Sequence, residues 1–445
     1  MPMTPEHAVR AYLVPHSGVC RLLLVAALSC GAGAQASDRV ADVSILLDRS
    51  LDVGNNRPLV DIIVCDATGA RCQSVPRVLL DTGSTGLMLK KAVWSSLPMP
   101  LHRLHSPAGP WGLCARFDGL AVWSWIAWAQ VEIAGLRTLE AIPLALIDDS
   151  AQAPPACRAI DGSGNLPGDV NGILGVGAPR RFCLNFEGGQ CPLDGPSSVY
   201  YTLHSSDGHW EAAQPPSSVD LPNPVAHFPP GYNDGIVLRM PALKHAQASG
   251  RALHGELHFG VARSRNALFP PAALAEIPAA FDSHFAGTLT IGAAHYQGML
   301  SVDSGTAYTA LPHQLACLGR DCRKPGGHRI DQVAAYVAFG GIESRERVEG
   351  GAASNGVAHP PRFCLPLADL ETLAETAGDW GACDAAAQIE DLVDLPVLGM
   401  PFLFGRTVGI GIGGSTAPSG RVYPRGYLLI VDTPVAAAGV ARGAD

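Results

Sequence analysis

At 445 residues the chain exceeds the usual size of one hydrophobic core, so two lobes or domains are expected. Apolar residues make up 47% and charged residues 16%, which excludes wholesale disorder. A formal charge of −9 excludes a nucleic-acid partner, because phosphate binding needs a basic surface.

The first 36 residues read as an export signal. Arg10 and Arg21 supply positive charge, Leu22 to Leu28 form a short apolar core, and Ala34-Gln35-Ala36 offers a small-residue cleavage site. A loose lipobox, Leu28-Ser29-Cys30-Gly31, offers the rival reading of a lipid anchor at Cys30. No stretch approaches 18 uninterrupted apolar residues, so no membrane span is expected. Cleavage after residue 36 leaves 29 basic residues against 39 acidic, a net charge of −10. The expected location is the periplasm or the medium, with an outer-membrane lipid anchor as the alternative. Ten cysteines remain, an even number that in an exported chain reads as disulfides. Zinc is disfavoured, because no two C-x-x-C pairs occur and the spacings are irregular.

Residues 37–191 read as an N-terminal β lobe. Residues 60–64 form a β-type run, the turn-rich stretch 65–72 follows, and Val78-Leu79-Leu80 is a buried strand entering Asp81. A Cys65–Cys72 bridge across that turn would contribute roughly 2–3 kcal/mol on a chain-entropy basis. Residues 114–147 are again β-rich, with Trp123, Trp125 and Trp128 and a turn at Ala134-Gly135. These three tryptophans are expected to pack internally rather than to form a stacking surface for ligand. Residues 192–235 change character, with many Pro among Ser, Gly and Asp, and read as an interlobe segment with a surface insertion. A C-terminal β lobe is expected over 236–435, followed by a disordered tail at 436–445. Fifty Gly and 36 Pro fit this mainly all-β reading. Two short helices are expected, over 332–338 and 368–377. Short spacings suggest bridges Cys183–Cys191 and Cys317–Cys322. His254, Glu256 and His258 alternate along one strand, which fits a solvated strand face better than a metal site; His102 and His105 read as loop residues.

Two sequences carry chemistry: Leu79-Leu80-Asp81-Thr82-Gly83-Ser84-Thr85-Gly86 and Ser301-Val302-Asp303-Ser304-Gly305-Thr306-Ala307. Each is an apolar strand running into Asp, a hydroxyl residue, Gly and a second hydroxyl residue. One such tetrapeptide alone reads as a β-turn. Two, one per lobe and each after an apolar strand, ask for another reason. Paired carboxylates cannot both ionise cheaply, so they share a proton; one then activates a water while the other protonates the attacked carbonyl. Gly83 and Gly305 let the backbone turn tightly beside the carboxylates. Ser84 and Thr306 can donate to the outer carboxylate oxygens, and Thr82 and Ser304 sit where they can brace one loop against the other.

These loops resemble those of the pepsin-like aspartic peptidases, and the chain is still more similar to a bacterial family of exported proteins of unknown function with that architecture. The resemblance implies a bilobal fold with an active-site cleft between the lobes, and an endopeptidase acting on peptide or protein substrates. It implies no metal and no cofactor, and the chain is expected to be a monomer. Asn171-Gly172-Ile173-Leu174-Gly175-Val176-Gly177 and Pro396-Val397-Leu398-Gly399 match the segments that thread behind each Asp loop in that family. Gly255-Glu256-Leu257-His258-Phe259-Gly260 resembles the strand that opens the second lobe. The resemblance also suggests a Cys364–Cys383 bridge, leaving Cys114–Cys157 by elimination. Departures accompany it. Phe117 falls where the family carries a flap tyrosine, Met88 stands at a usual Trp, and Asn171 and Met400 replace acidic residues. The alternative implied by these departures is a catalytically silent relative that binds a peptide, protein or glycan in the cleft.

Overall fold

The computed structural model describes residues 39–46, 57–117, 120–148, 153–157, 166, 170–186, 189–193, 199–204, 206–241, 252–269, 275–281, 283–307, 309–312, 315, 328–340, 362–364, 384–389 and 395–432. The first eleven strands are β1 (Val40–Leu46), β2 (Pro58–Cys65), β3 (Cys72–Asp81), β4 (Thr85–Leu89), β5 (Trp111–Phe117), β6 (Leu120–Ile133), β7 (Leu136–Arg137), β8 (Ile142–Ile147), β9 (Gly172–Val176), β10 (Tyr200–Leu203) and β11 (Trp210–Ala212). The second eleven are β12 (Gly235–Arg239), β13 (Ala252–Phe259), β14 (Ile277–Phe281), β15 (His284–Ile291), β16 (Ala294–Val302), β17 (His328–Phe339), β18 (Arg362–Cys364), β19 (Asp384–Ile389), β20 (Val397–Leu398), β21 (Arg406–Gly411) and β22 (Tyr427–Asp432). Helices among the described residues are short, the longest being Val261–Leu268, and none is long and apolar enough to cross a membrane.

The first lobe turns on one threading event. Strand β9 pairs parallel with β3 (Val78↔Gly172 to Asp81↔Gly175) and antiparallel with β4 (Thr85↔Val176 to Leu89↔Gly172), so it lies directly behind the turn that joins them. Its Gly-Ile-Leu-Gly-Val sequence is buried throughout, as expected of a central strand covered on both faces. Glycine is required at 175: a Cβ there would lie 2.6 Å from the Thr85 nitrogen and 2.7 Å from the Ser84 carbonyl carbon. The second lobe repeats the device. Strand β20 pairs parallel with the end of β16 (Ser301↔Val397, Val302↔Leu398). Val397 also exchanges backbone hydrogen bonds of 2.8 and 3.0 Å with Ala310.

A continuous antiparallel path joins the lobes, running β6–β2–β1–β13–β12–β21–β22–β14. Strand β1 from the start of the described chain pairs with β13 over seven residue pairs, Val40↔His258 to Leu46↔Ala252. A core of buried aliphatic and aromatic residues runs through both lobes, from Val43 and Val64 to Phe285, Leu300 and Leu398. Among the described residues the fold is mainly β and bilobal, with the same threading device in each lobe.

Three expected disulfides are present: Cys65–Cys72, Cys114–Cys157 and Cys183–Cys191. Expectations for the signal at 1–36 with Cys30, for Cys317–Cys322, for Cys383, for a helix at 368–377 and for the tail at 436–445 lie outside the described residues. The helix expected over 332–338 is corrected: these residues form the second half of strand β17. Alanines there suggest helix, but Val333, Tyr336, Val337 and Phe339 favour strand, and the ladder from Gly287↔Phe339 to Ile291↔Ala335 decides the matter. Tertiary pairing outweighs local propensity here.

Gly175→Ala should destabilise the protein by about 1–3 kcal/mol, because the added methyl meets backbone that cannot move aside. Thermal unfolding of the variant checks this; a wild-type melting temperature would contradict the threading.

Candidate active site

Each Asp loop is a strand end followed by a turn that its own carboxylate organises. Strand β3 is buried over Val78–Asp81, so Asp81 is delivered into the interior, at 5% exposure. Its Oδ1 accepts the Gly83 N–H at 2.8 Å and its Oδ2 accepts the Ser84 hydroxyl at 2.5 Å. The second loop copies this: Asp303 Oδ1 accepts Gly305 N–H at 2.7 Å, and Oδ2 accepts the Thr306 hydroxyl at 2.6 Å. An Asp that hydrogen-bonds a backbone N–H two residues on is the local preference of Asp in turns. The hydroxyl three residues on completes the set.

The glycines show how the loops face each other. A Cβ on Gly83 would lie 2.5 Å from Asp303 Cγ, and a Cβ on Gly305 would lie 2.8 Å from Asp81 Cγ. Each glycine therefore makes room for the carboxylate of the opposite loop. Behind them, Thr82 and Ser304 tie the loops together reciprocally. The Thr82 hydroxyl donates to Val302 O at 2.9 Å and accepts Ser304 N–H at 2.9 Å. The Ser304 hydroxyl donates to Leu80 O at 2.6 Å and accepts Thr82 N–H at 3.1 Å. Both residues are buried, at 1% and 0% exposure, so an unmade bond here costs the full desolvation of the group, about 1–3 kcal/mol. The two hydroxyls satisfy donor and acceptor needs on both loops at once.

Burial pushes the Asp81 carboxyl well above the usual carboxylate range, and the charge of Asp303 and a hydrogen bond with it push in the same direction. His284 was not anticipated. It pairs across strands with Ser301, two residues before Asp303, and stacks on Phe281 at 4.7 Å between centroids. Burial lowers its pKa, while a backbone hydrogen bond at Phe281 and the charge of Asp303 act to raise it. No sequence spacing links His284 to Asp303; only the β15–β16 register does. Further into the second loop, Met400 N–H donates to Thr306 O at 2.9 Å, so Met400 fastens the helical turn Met400–Leu403 to the loop by backbone alone. Asn171 anchors the start of β9, its side chain donating to Pro76 O at 2.8 Å.

Phe117 is the last residue of β5 and faces Leu120 across the hairpin turn. Its half-buried ring packs against a cluster that includes Leu79, Met88 and Ile173, all on strands flanking the first Asp loop. Trp123 and Trp125 of the same hairpin are buried, and Trp210 packs on both, at 4.6 and 5.5 Å between centroids. Trp210 belongs to a second hairpin, β10–β11, whose strand β10 pairs with β5 from Tyr200↔Leu113 to Thr202↔Trp111. That hairpin lies within the Pro-rich stretch and was not legible in the sequence, since its strands are only four and three residues long. On β13, His254 pairs with Asp42 at 2.9 Å and His258 with Glu256 at 3.0 Å. These are local side-chain hydrogen bonds on a partly solvated strand face, as the alternation suggests.

A family model described as "Protein of unknown function (DUF3443)" matches residues 36–424, and the chain belongs to that family. No curated protein matches it. Among solved structures it is similar to an aspartic proteinase from Irpex lacteus, at 13% identity with a TM-score of 0.48, over 90% of this chain and 98% of that one.

Buried Asp220 supplies a second acid-dependent group. It accepts the Cys183 N–H at 3.1 Å and the Tyr200 hydroxyl at 3.3 Å, yet burial pushes its pKa up to about 6 from an ordinary 3.8. The native state thus holds this proton more tightly than the unfolded chain. Its stabilisation is complete below pH 3.8 and is lost as pH rises through about 6. The loss should reach about 3 kcal/mol. Denaturant unfolding between pH 4 and 7 should show the decline in wild type and a flatter profile in Asp220→Asn; equal slopes would contradict it.

Proposed function

We propose that this protein is an exported aspartic endopeptidase in which Asp81 and Asp303 activate a water against a peptide carbonyl. The observation that carries the reading is the reciprocal packing of the two loops, with each carboxylate set against the glycine of the other. A pure binding surface has no physical need to set a buried carboxyl, Asp81, against a second, half-buried one, Asp303.

In this reading a water bound between the carboxyls is the nucleophile. The ionised carboxylate takes its proton as the water oxygen bonds to the scissile carbonyl carbon. The protonated carboxyl donates to the carbonyl oxygen, giving a neutral tetrahedral intermediate. The carboxyl that took the water's proton then passes it to the amide nitrogen while a hydroxyl of the intermediate returns its proton to the other carboxylate, so the C–N bond breaks and the starting pair is restored. Ser84 and Thr306 hold the outer oxygens by hydrogen bonds, so the reacting oxygens keep their aim. No residue of this scheme calls for a metal or cofactor. Three disulfides support an oxidising, extracytoplasmic location.

Phe117 is assigned as the flap residue. Its ring can exclude water and pack on substrate side chains, but it offers no hydroxyl, and Met88 offers no indole N–H to orient one. The absence of one transition-state hydrogen bond commonly costs about 1–3 kcal/mol, roughly ten- to a hundredfold in rate. The enzyme is therefore slow and leans on apolar recognition. A catalytically silent, cleft-binding relative is the reading that these two residues favour instead.

Cleavage of a mixed peptide library from acid to neutral pH, with and without pepstatin, tests the proposal. Asp81→Asn and Asp303→Asn should each abolish turnover while leaving the fold intact by circular dichroism. A single variant that keeps near wild-type turnover would overturn the dyad, and an inert but well-folded wild type would favour the silent relative. Phe117→Ala should lower kcat/KM at least tenfold, with Phe117→Tyr tolerated; an unaffected Phe117→Ala would remove Phe117 from the flap.

A further inference from the structure

The hairpin β10–β11 has one face in the core and one in solvent. Thr202 faces Glu211 and Leu203 faces Trp210 across the strands, which places His204 opposite His209. The closing backbone bonds agree: His204 N–H donates to His209 O at 2.9 Å, and Gly208 N–H donates to His204 O at 2.8 Å. Side chains alternate along each arm, so Leu203 and Trp210 share one face while His204, His209 and Glu211 share the other. Leu203 and Trp210 pack against the main core. The polar face collects two imidazoles and a carboxylate with nothing apolar between them.

That face gathers the donor set of a chelate. One ligand atom from each of His204, His209 and Glu211 lies within 4.8 Å of the others. His204 Nε2 and Glu211 Oε2 are 2.6 Å apart; the two imidazole rings stack at 4.3 Å with an 18° tilt, so their in-plane lone pairs run side by side and one ring turns about its Cα–Cβ bond for both to meet one ion. His209 is oriented from behind: its Nδ1 is 2.6 Å from Asp207 Oδ1. An imidazole bonded to a carboxylate at Nδ1 presents Nε2 as a fixed lone pair, the arrangement that orients histidine ligands in metal sites. Two nitrogens and one oxygen suit a zinc-class divalent cation, with water completing a tetrahedron. Ligand atoms about 3.3 Å apart satisfy metal bonds of about 2.0–2.1 Å. The ion would replace the proton between His204 and Glu211, with a small opening of two partly exposed side chains.

We propose that His204, His209 and Glu211 bind one zinc-class divalent cation, with Asp207 as the positioning carboxylate. The ion cross-links the two arms of the hairpin at the turn, on the element that pairs with β5 and backs the Trp123–Trp125 face. It is separate from the paired aspartates, and its test is independent of peptidase activity.

Chelator-treated full chain titrated with zinc chloride by calorimetry should bind one equivalent at micromolar or tighter affinity. Cobalt(II) should give the visible absorption of a four-coordinate N/O site. His204→Ala and Glu211→Gln should each lose binding, while Asp207→Asn should weaken it about 10- to 100-fold and keep the cobalt spectrum. These side chains are partly or largely exposed, and unchanged circular dichroism would show that the variants fold. No saturable zinc binding up to about 1 mM, or equal binding by wild type and the His204→Ala/Glu211→Gln double variant, would overturn the proposal.

Discussion

Two hydroxyl side chains, Thr82 and Ser304, hold the two lobes in the one arrangement that makes the site. Each donates to a backbone carbonyl of the opposite loop and accepts that loop's N–H. Setting buried Asp81 against half-buried Asp303 is costly, since desolvation and mutual repulsion both oppose it. That cost is met by four fully buried hydrogen bonds which neither lobe can make alone. Ser283 and Gly177 add a second seam. The Ser283 hydroxyl accepts Ala178 N–H at 3.1 Å, and a Cβ on Gly177 would lie 2.5 Å from that same oxygen. The site is thus a property of the lobe interface rather than of either lobe.

The hairpin β5–β6 beside the first Asp loop is held by packing on several sides. Phe117 and Met88 are both engaged with one apolar cluster. Stiffness comes from elsewhere. Cys114 on β5 is bridged to Cys157, β10 is laid along β5, and Trp210 packs into the tryptophans of β6. At the base of that hairpin, Asp148 accepts the Trp125 indole N–H at 3.1 Å and pairs with Lys91 at 2.7 Å. Such a hairpin is held by packing and covalent closure rather than by one polar contact.

The site was legible because its chemistry is local. Asp, a hydroxyl residue, Gly and a second hydroxyl residue form one turn, and every hydrogen bond within it spans two or three residues. Threading by β9 and β20 was expected from the resemblance, through Asn171–Gly177 and Pro396–Gly399, and the parallel pairings carry it out. What was missed depends on register. Residues 332–338 look helical by composition, and only the pairing with β15 makes them strand. Strands β10 and β11 are too short to show a period, so the grouping of His204, His209 and Glu211 is invisible until the two arms close. His284 reaches the neighbourhood of Asp303 only through its cross-strand partner Ser301.

The most direct measurement is the titration of Asp81 itself, by NMR of protein labelled with carbon-13 at the aspartate carboxyls and assigned with Asp81→Asn. Face-to-face burial with Asp303 requires the Asp81 midpoint to lie well above 3.8 and to fall when Asp303 is changed to Asn. A midpoint near 3.8 that ignores the Asp303→Asn change would mean that the two carboxyls do not form a pair.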